Sequence, residues 1–273
     1  MRASLSLIHK EFSSYFFSPI AYVMLAVITL VTGFLFSQTL LLLTASGPQG
    51  IEFPMQTLLG LGDLQSRPGV LSFLLFWVVF LIVPPLLTMR LLAEERNTGT
   101  LEMLLTAPLR DWQIVLCKYV ACFLFYLVLW LPTLIYLPIL LDFSWNPLRA
   151  GIDPLPVVTT YVGLALAGAM LLAIGLLVSS LVKSPLLAVL IGLFLNLVLI
   201  MADFLRLILN MTGILQSDMG TGSQLFLFFT IPLHFERNFT RGLLDTRQLI
   251  LYSSVALVCL FVTIRSLESR RWR

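Results

Sequence analysis

VVTTYVGLALAGAMLLAIGLLVSSLV, residues 157–182, runs from end to end without a charged side chain. A helical residue rises about 1.5 Å, so roughly 20 apolar residues cross the ~30 Å of hydrocarbon in a bilayer. This stretch is long enough to do so. Lys183-Ser184-Pro185 interrupts it, and a second apolar run follows at 186–202, so the pair reads as two spans joined by a tight turn. Working outwards, four more segments meet the same test: 20–44, 70–92, 114–141 and 249–266. All six read as helices, because an open sheet would leave backbone N–H and C=O groups unpaired in lipid.

The totals agree. Of 273 residues, 59% are hydrophobic and 11% charged, with a mean hydropathy of +0.97; a soluble domain carries about 25% charged residues because water must wet its surface. The expectation is an all-α integral membrane protein: one transmembrane domain over 1–273, six transmembrane helices, and lipid as its main solvent. The run at 20–44 exceeds the ~7–15 residues of a signal-peptide core and reads as a retained helix. The net charge of +3 comes without a basic patch interleaved with aromatics, so no nucleic-acid partner is expected. Cys117, Cys122 and Cys259 lie in or beside apolar runs, odd in number and without metal-ligand spacing, and read as small buried hydrophobes.

Orientation follows from the basic residues. With both termini inside, Arg2, Lys10, Arg90, Arg96, Arg110, Lys118, Lys183, Arg265, Arg270, Arg271 and Arg273 are cytoplasmic, while Arg67, Arg149, Arg206, Arg237, Arg241 and Arg247 are not. Four of the latter six sit in the long extracytoplasmic loop at 203–248, before the last span, where the positive-inside bias is weakest. The chain is thus expected to be a multi-pass protein of the cytoplasmic (inner) cell membrane. The fifth span, the shortest, is expected to continue a turn past Asp203; in the loop that follows, 204–215 reads as a helix lying on the surface and 225–233 as a re-entrant or interfacial piece.

Three segments carry more than topology. Residues 1–18 place Leu5, Ile8, Phe12, Tyr15 and Phe16 at helical spacing with Lys10, Glu11, Ser13 and Ser14 opposite, an amphipathic helix along the inner membrane surface. It reads either as an anchor or as an element pushed by a cytoplasmic partner. In the connection after the second span, Glu94-Glu95-Arg96-Asn97-Thr98-Gly99-Thr100-Leu101-Glu102-Met103-Leu104-Leu105-Thr106-Ala107-Pro108, Thr98 or Thr100 can cap a short helix, Gly99 permits the turn, Leu101, Leu104 and Leu105 form an apolar face, and Pro108 ends it. This is a hairpin loop, or a lever pinned between two spans. In the fourth span, Ala165, Ala169, Ala173, Gly168 and Gly175 allow close helix approach, within the subunit or across a dimer seam.

The stretch EERNTGTLEMLLTAPLRDWQIVLCK, residues 94–118, resembles the inter-span signature of type 2 ABC transporter (ABC-2) permeases. It has an acidic-Arg pair, Gly-Thr, a Leu-Leu pair, Pro, and a Lys entering the next helix. The layout of surface helix, six spans and long outer loop is similar across nearly the whole chain. HFERNFTRGLLD, residues 234–245, is similar to the gliding-motility-associated and copper-processing branch. The resemblance implies that Gly99–Leu105 is a coupling helix, with Glu94, Glu95 and Arg96 at its base, docking on a separate ABC ATPase subunit. It implies a secondary cytoplasmic contact at Lys183 and a second permease subunit, identical or related. No Gly-x-x-x-x-Gly-Lys-Ser/Thr run could cradle phosphates, so no cofactor is expected in this chain, and ATP and Mg belong to the partner ATPase.

Two other classes compete. A membrane enzyme would need convergent acid, base or metal-ligating side chains; His9 and His234 are expected on opposite sides of the membrane, so the chain is expected to be non-catalytic. A non-transporting scaffold or assembly subunit is the remaining alternative. Copurification with an ATPase whose turnover depends on this chain separates it from a driven permease.

Overall fold

The computed structural model describes residues 2–46, 59, 67–99, 111–136, 154–211 and 229–271, which are helical with short connections and contain no strand. The helices are α1 (Arg2–Phe16), α2 (Pro19–Ser46), α3 (Arg67–Thr88), α4 (Ala93–Thr98), α5 (Asp111–Trp130, tightening into a 3-10 turn over Leu131–Ile135), α6 (Pro154–Leu181), α7 (Pro185–Met211), α8 (Ile231–Arg237, followed by a 3-10 turn over Phe239–Arg241) and α9 (Thr246–Arg271). Within them, Pro19–Leu41, Asp111–Ile135, Leu155–Leu181 and Thr246–Ser269 are long and apolar enough to cross a membrane. Helices α3 and α7, of 22 and 27 residues, are apolar as well over Ser72–Thr88 and Pro185–Met201.

Helix α6, which holds the stretch quoted first, is the most enclosed of the four long candidates. It packs against α9, α3, α7 and α5. Glycines let it do so. A Cβ on Gly168 would collide with the Tyr126 ring of α5, and one on Gly175 with Thr88 at the end of α3. The small-residue stripe is therefore used for packing inside this chain. The core holds Trp77, Phe80, Phe125, Phe235 and Tyr252, all fully buried, with Trp77 edge-on to Phe80 at 5.5 Å and to Phe235 at 5.6 Å. Offset and edge contacts of this kind suit ring quadrupoles better than face-to-face stacking.

The outer surfaces are apolar too. On α2, Ala21, Met24, Ile28 and Leu35 face inward at helical spacing, while Tyr22, Val23, Leu30 and Phe34 are exposed. On α7 and α9, Leu190, Phe194, Leu257 and Phe261 are exposed in the same way. A body apolar both inside and out is a membrane body, because lipid tails solvate what water would not.

Several boundaries differ from the sequence expectation. The second span was expected to reach 92, but α3 ends at Thr88, beyond Pro84 and Pro85. Two successive prolines remove two ladder donors, and the Thr88 hydroxyl donates to the carbonyl of Pro84 at 3.0 Å. Of the surface helix expected over 204–215, residues 204–211 instead continue α7 unbroken to Met211, and 212–215 lie outside the described residues. Of the piece at 225–233, residues 225–228 lie outside the described residues; a helix begins at Ile231, and Ile231, Leu233, His234 and Phe235 are buried in the protein, against the interfacial alternative and not against the re-entrant one. Residues 137–141 of the third expected span lie outside the described residues.

Candidate functional site

The connection after α3 is held in place by groups from three other helices. Met89 to Leu92 make a turn, with the N–H of Leu91 donating to Thr88 at 3.2 Å, and α4 then begins. Its N-cap is Leu92, a side chain that cannot cap. The Ser179 hydroxyl of α6 does so instead, accepting from the N–H of Leu92 at 3.3 Å and of Ala93 at 3.0 Å. These are two of the donors that a helix start leaves without an internal acceptor. The same hydroxyl donates back to the Met89 carbonyl at 3.4 Å, so one buried serine spans the turn.

Helix α4 carries Glu94 and Glu95 in its first turn and Arg96 near its end, a charge order that complements the helix dipole. Glu94, half-exposed, lies 3.6 Å from Arg90. Arg96 donates to the Ser180 carbonyl in the last turn of α6 at 3.2 Å. Glu95 turns inward to Lys118 of α5, at 2.6 Å. Lys118 is only 1% exposed and also donates to Glu11 of α1 at 2.9 Å. A lysine this buried is stable only when paired. Here one ammonium joins two carboxylates, from the surface helix and from the connection. Burial pushes the Glu95 carboxyl above its ordinary value, against the opposing pull of Lys118.

The sequence pattern puts Glu11 on the polar face of α1, opposite Leu5, Ile8 and Phe12. Instead Leu7, Glu11 and Tyr15, one helical turn apart, share the packed face, and Leu5 is exposed. Tyr15 stacks on Phe125 of α5 at 4.8 Å and donates to the Leu87 carbonyl of α3 at 3.2 Å; burial raises its phenol well above the ordinary value. The sequence showed Glu11 and Lys118 but not their pairing, which needs residues 107 positions apart to meet. Ser179 and Ser180 left no signal beyond being polar residues near a span end.

Gly99, at φ +74°, ends α4 in the left-handed region. Thr98 thus closes a helix rather than opening one, and the charge order of residues 94–96 followed by Gly was the readable sign of it. Its side chain lies outside the described residues, as do Thr100, Leu101, Glu102, Leu104, Leu105 and Pro108 entirely. Lys183 is exposed in the turn between α6 and α7, at the bundle end that also holds α4. Glu94, Asn97 and Gly99 are exposed there as well.

The far end of α6 is built differently. Thr159 donates to the Phe239 carbonyl at 2.6 Å, Thr240 donates to the Phe235 carbonyl at 2.7 Å, and His234 bonds Tyr252 at 2.8 Å. His234 is therefore a bundle length away from His9 on α1, and the two share no site. Asn196 of α7 is fully buried, and neither atom of its amide has a hydrogen-bond partner among the described residues.

Residues 53–263 match the family model described as ABC-2 family transporter protein. A comparison with curated proteins found no match. That family consists of membrane permeases of ABC transporters, generally non-catalytic subunits, which agrees with a multi-pass apolar helical body. With most of its length matched, the chain belongs to the ABC-2 family of transporter proteins.

Proposed function

We propose that this chain is the membrane-spanning permease subunit of an ATP-driven transporter, crossing the bilayer six times with both termini cytoplasmic. ATP and Mg act on a separate ABC ATPase subunit, and a second permease subunit, identical or related, completes the membrane body. The finer kinship is with the gliding-motility-associated and copper-processing branch, on the residues at 234–245. The ATPase docks on the connection from Glu94 to Pro108, with Lys183 as a minor contact.

One observation supports this reading above the others. The exposed Glu94 and Asn97 belong to a short helix, closed by the exposed Gly99, whose hidden side is tied, through Lys118 and Ser179, to α1, α5 and α6. A push on that helix is shared among three others instead of being absorbed by a loose loop. Closure of the ATPases would then shift the spans between inward- and outward-facing arrangements. Purification from the native membrane tests the proposal: an ATPase should accompany the chain, and its turnover should depend on it. Glu94→Lys, which reverses an exposed charge, should loosen that association while leaving the chain folded. A chain that purifies alone, with no nucleotide-binding partner under any mild condition, would instead be a scaffold.

A further inference from the structure

Helix α7 rests on the bundle along a stripe one residue wide. Of its described side chains, Ala188, Gly192, Asn196 and Ile200 are buried, each one turn after the last, while Leu190, Ile191, Phe194, Leu195, Leu197 and Val198 on its flanks are exposed. Three of the four suit a seam between apolar helices, being small or apolar themselves. Asn196 does not. It is 0% exposed, and neither its amide nitrogen nor its amide oxygen has a hydrogen-bond partner among the described residues. A buried polar group left unpaired is costly, and such a group inside a membrane body points to a role.

The facing helix has a matching need. Gly192 lies against Pro85 of α3, and the end of α3 meets the start of α7, so the two helices run antiparallel. Proline has no N–H, so Pro85 leaves the Leu81 carbonyl without its ladder donor. Leu81 stands four residues before Pro85 and Asn196 four residues after Gly192, which puts both about 6 Å along from the same contact. A helix carbonyl points toward the C-terminus, and a side chain leans toward the N-terminus. In antiparallel helices both directions lead back to the level of Gly192 and Pro85. A donor without an acceptor and an acceptor without its ladder donor converge there, yet do not bond in the described arrangement. What separates them can close. A Cβ on Gly192 would stand 3.4 Å from the Pro85 side chain, an ordinary contact, whereas on Gly168 or Gly175 it would collide with Tyr126 or Thr88. The seam between α3 and α7 thus keeps a gap one methyl wide, where the seams of α6 are shut.

We infer that α7 has a second, closer seat on α3, in which that gap closes and the Asn196 amide donates to the Leu81 carbonyl. The described seat leaves both groups unpaired, and the closer one gains a hydrogen bond worth about fivefold in population. Helix α3 leads through the turn at Met89–Leu92 into α4, so a displacement of α4 and a change of seat move the same helix. The inference rests on the apolar helical body and not on the ATPase partner.

The test uses the full-length chain in lipid nanodiscs. A trifluoromethyl thiol label on Ile191→Cys, exposed beside the seam, reports the seat by fluorine NMR, while Cys117, Cys122 and Cys259 are buried. The labelled chain should show two resonances. Three changes of different chemistry should each weaken the same one about fivefold or more. Asn196→Leu removes the donor, Pro85→Ala returns an N–H to the Leu81 carbonyl, and Gly192→Ala fills the gap while leaving both polar groups in place. Thermal melting establishes that all three fold. An asparagine with a merely structural role would change the melting temperature and not the number of resonances. A single resonance in the labelled chain, or survival of the second at full strength in any of the three variants, would overturn the inference. Because no ATPase is present, failure here leaves the permease reading untouched, and a missing ATPase leaves this result untouched.

Discussion

Lys118 is the residue on which the junction turns. Removing this buried ammonium takes from Glu11 and Glu95, themselves only 15% and 23% exposed, the cation that both of them bond. Breaking such a pair costs about 3 kcal/mol or more. Lys118→Met should therefore lower thermal stability markedly in detergent, and adding Glu11→Gln with Glu95→Gln should recover most of the loss. Failure of the triple variant to recover would show that packing, not charge, holds the site. Glu95 also gives a pH signature. Its folded-state value is raised above the ordinary 4.5, so the native state holds this proton more tightly than the unfolded chain does. Its contribution is thus complete below pH 4.5 and declines as pH rises through the folded value. Melting curves of the native chain and of Glu95→Gln should converge at low pH and separate above it, with the glutamine variant gaining relative stability. None of this was readable from composition. The sequence offered a Glu, a Glu and a Lys in three separate segments, each plausible as a solvated charge.

At the scale of the element, the short helix α4 and the long helix α6 make opposite demands on glycine. Gly99 needs its left-handed φ, and a Cβ there would meet nothing within 4 Å, so any penalty is conformational. Gly99→Ala should cost about 1 kcal/mol, Gly99→Asn less and Gly99→Val more. Gly168 needs the absence of a side chain: Gly168→Val would drive the Tyr126 ring out of its place and weaken its hydrogen bond to the Leu164 carbonyl, 3.1 Å in length. Overpacking of this kind costs roughly 1–3 kcal/mol. Thermal melting of the four variants separates the two mechanisms, since only the Gly99 series should follow left-handed propensity rather than side-chain volume. The helix at Ala93–Thr98 was foreshadowed by its acidic start, basic end and following glycine. Its capping by Ser179 was not, because the cap comes from a residue 86 positions away.

The whole molecule is an apolar bundle with two polar ends, one built around Lys118 and Ser179, the other around Thr159, His234 and Tyr252. The proposed six crossings with cytoplasmic termini predict that Asn97 and Lys183 share one side of the membrane and Leu243 the other. All three are exposed, and the native Cys117, Cys122 and Cys259 are buried. Single substitutions Asn97→Cys, Lys183→Cys and Leu243→Cys should therefore label with a membrane-impermeant maleimide against little background. The first two should react in inverted vesicles and the third in intact cells; Lys183→Cys and Leu243→Cys reacting from the same side would reduce the number of crossings. Helical class, membrane solvation and the approximate position of each long helix were determined by the sequence alone, because hydropathy sums over neighbouring residues and the cost of bare backbone in lipid leaves few alternatives. Tertiary structure alone decided which charges meet, that α7 runs on to Met211, two turns past Asp203 rather than one, and that residues 231–235 are buried in the protein. Those outcomes depend on pairwise contacts between distant segments, and no local average of the chain contains them.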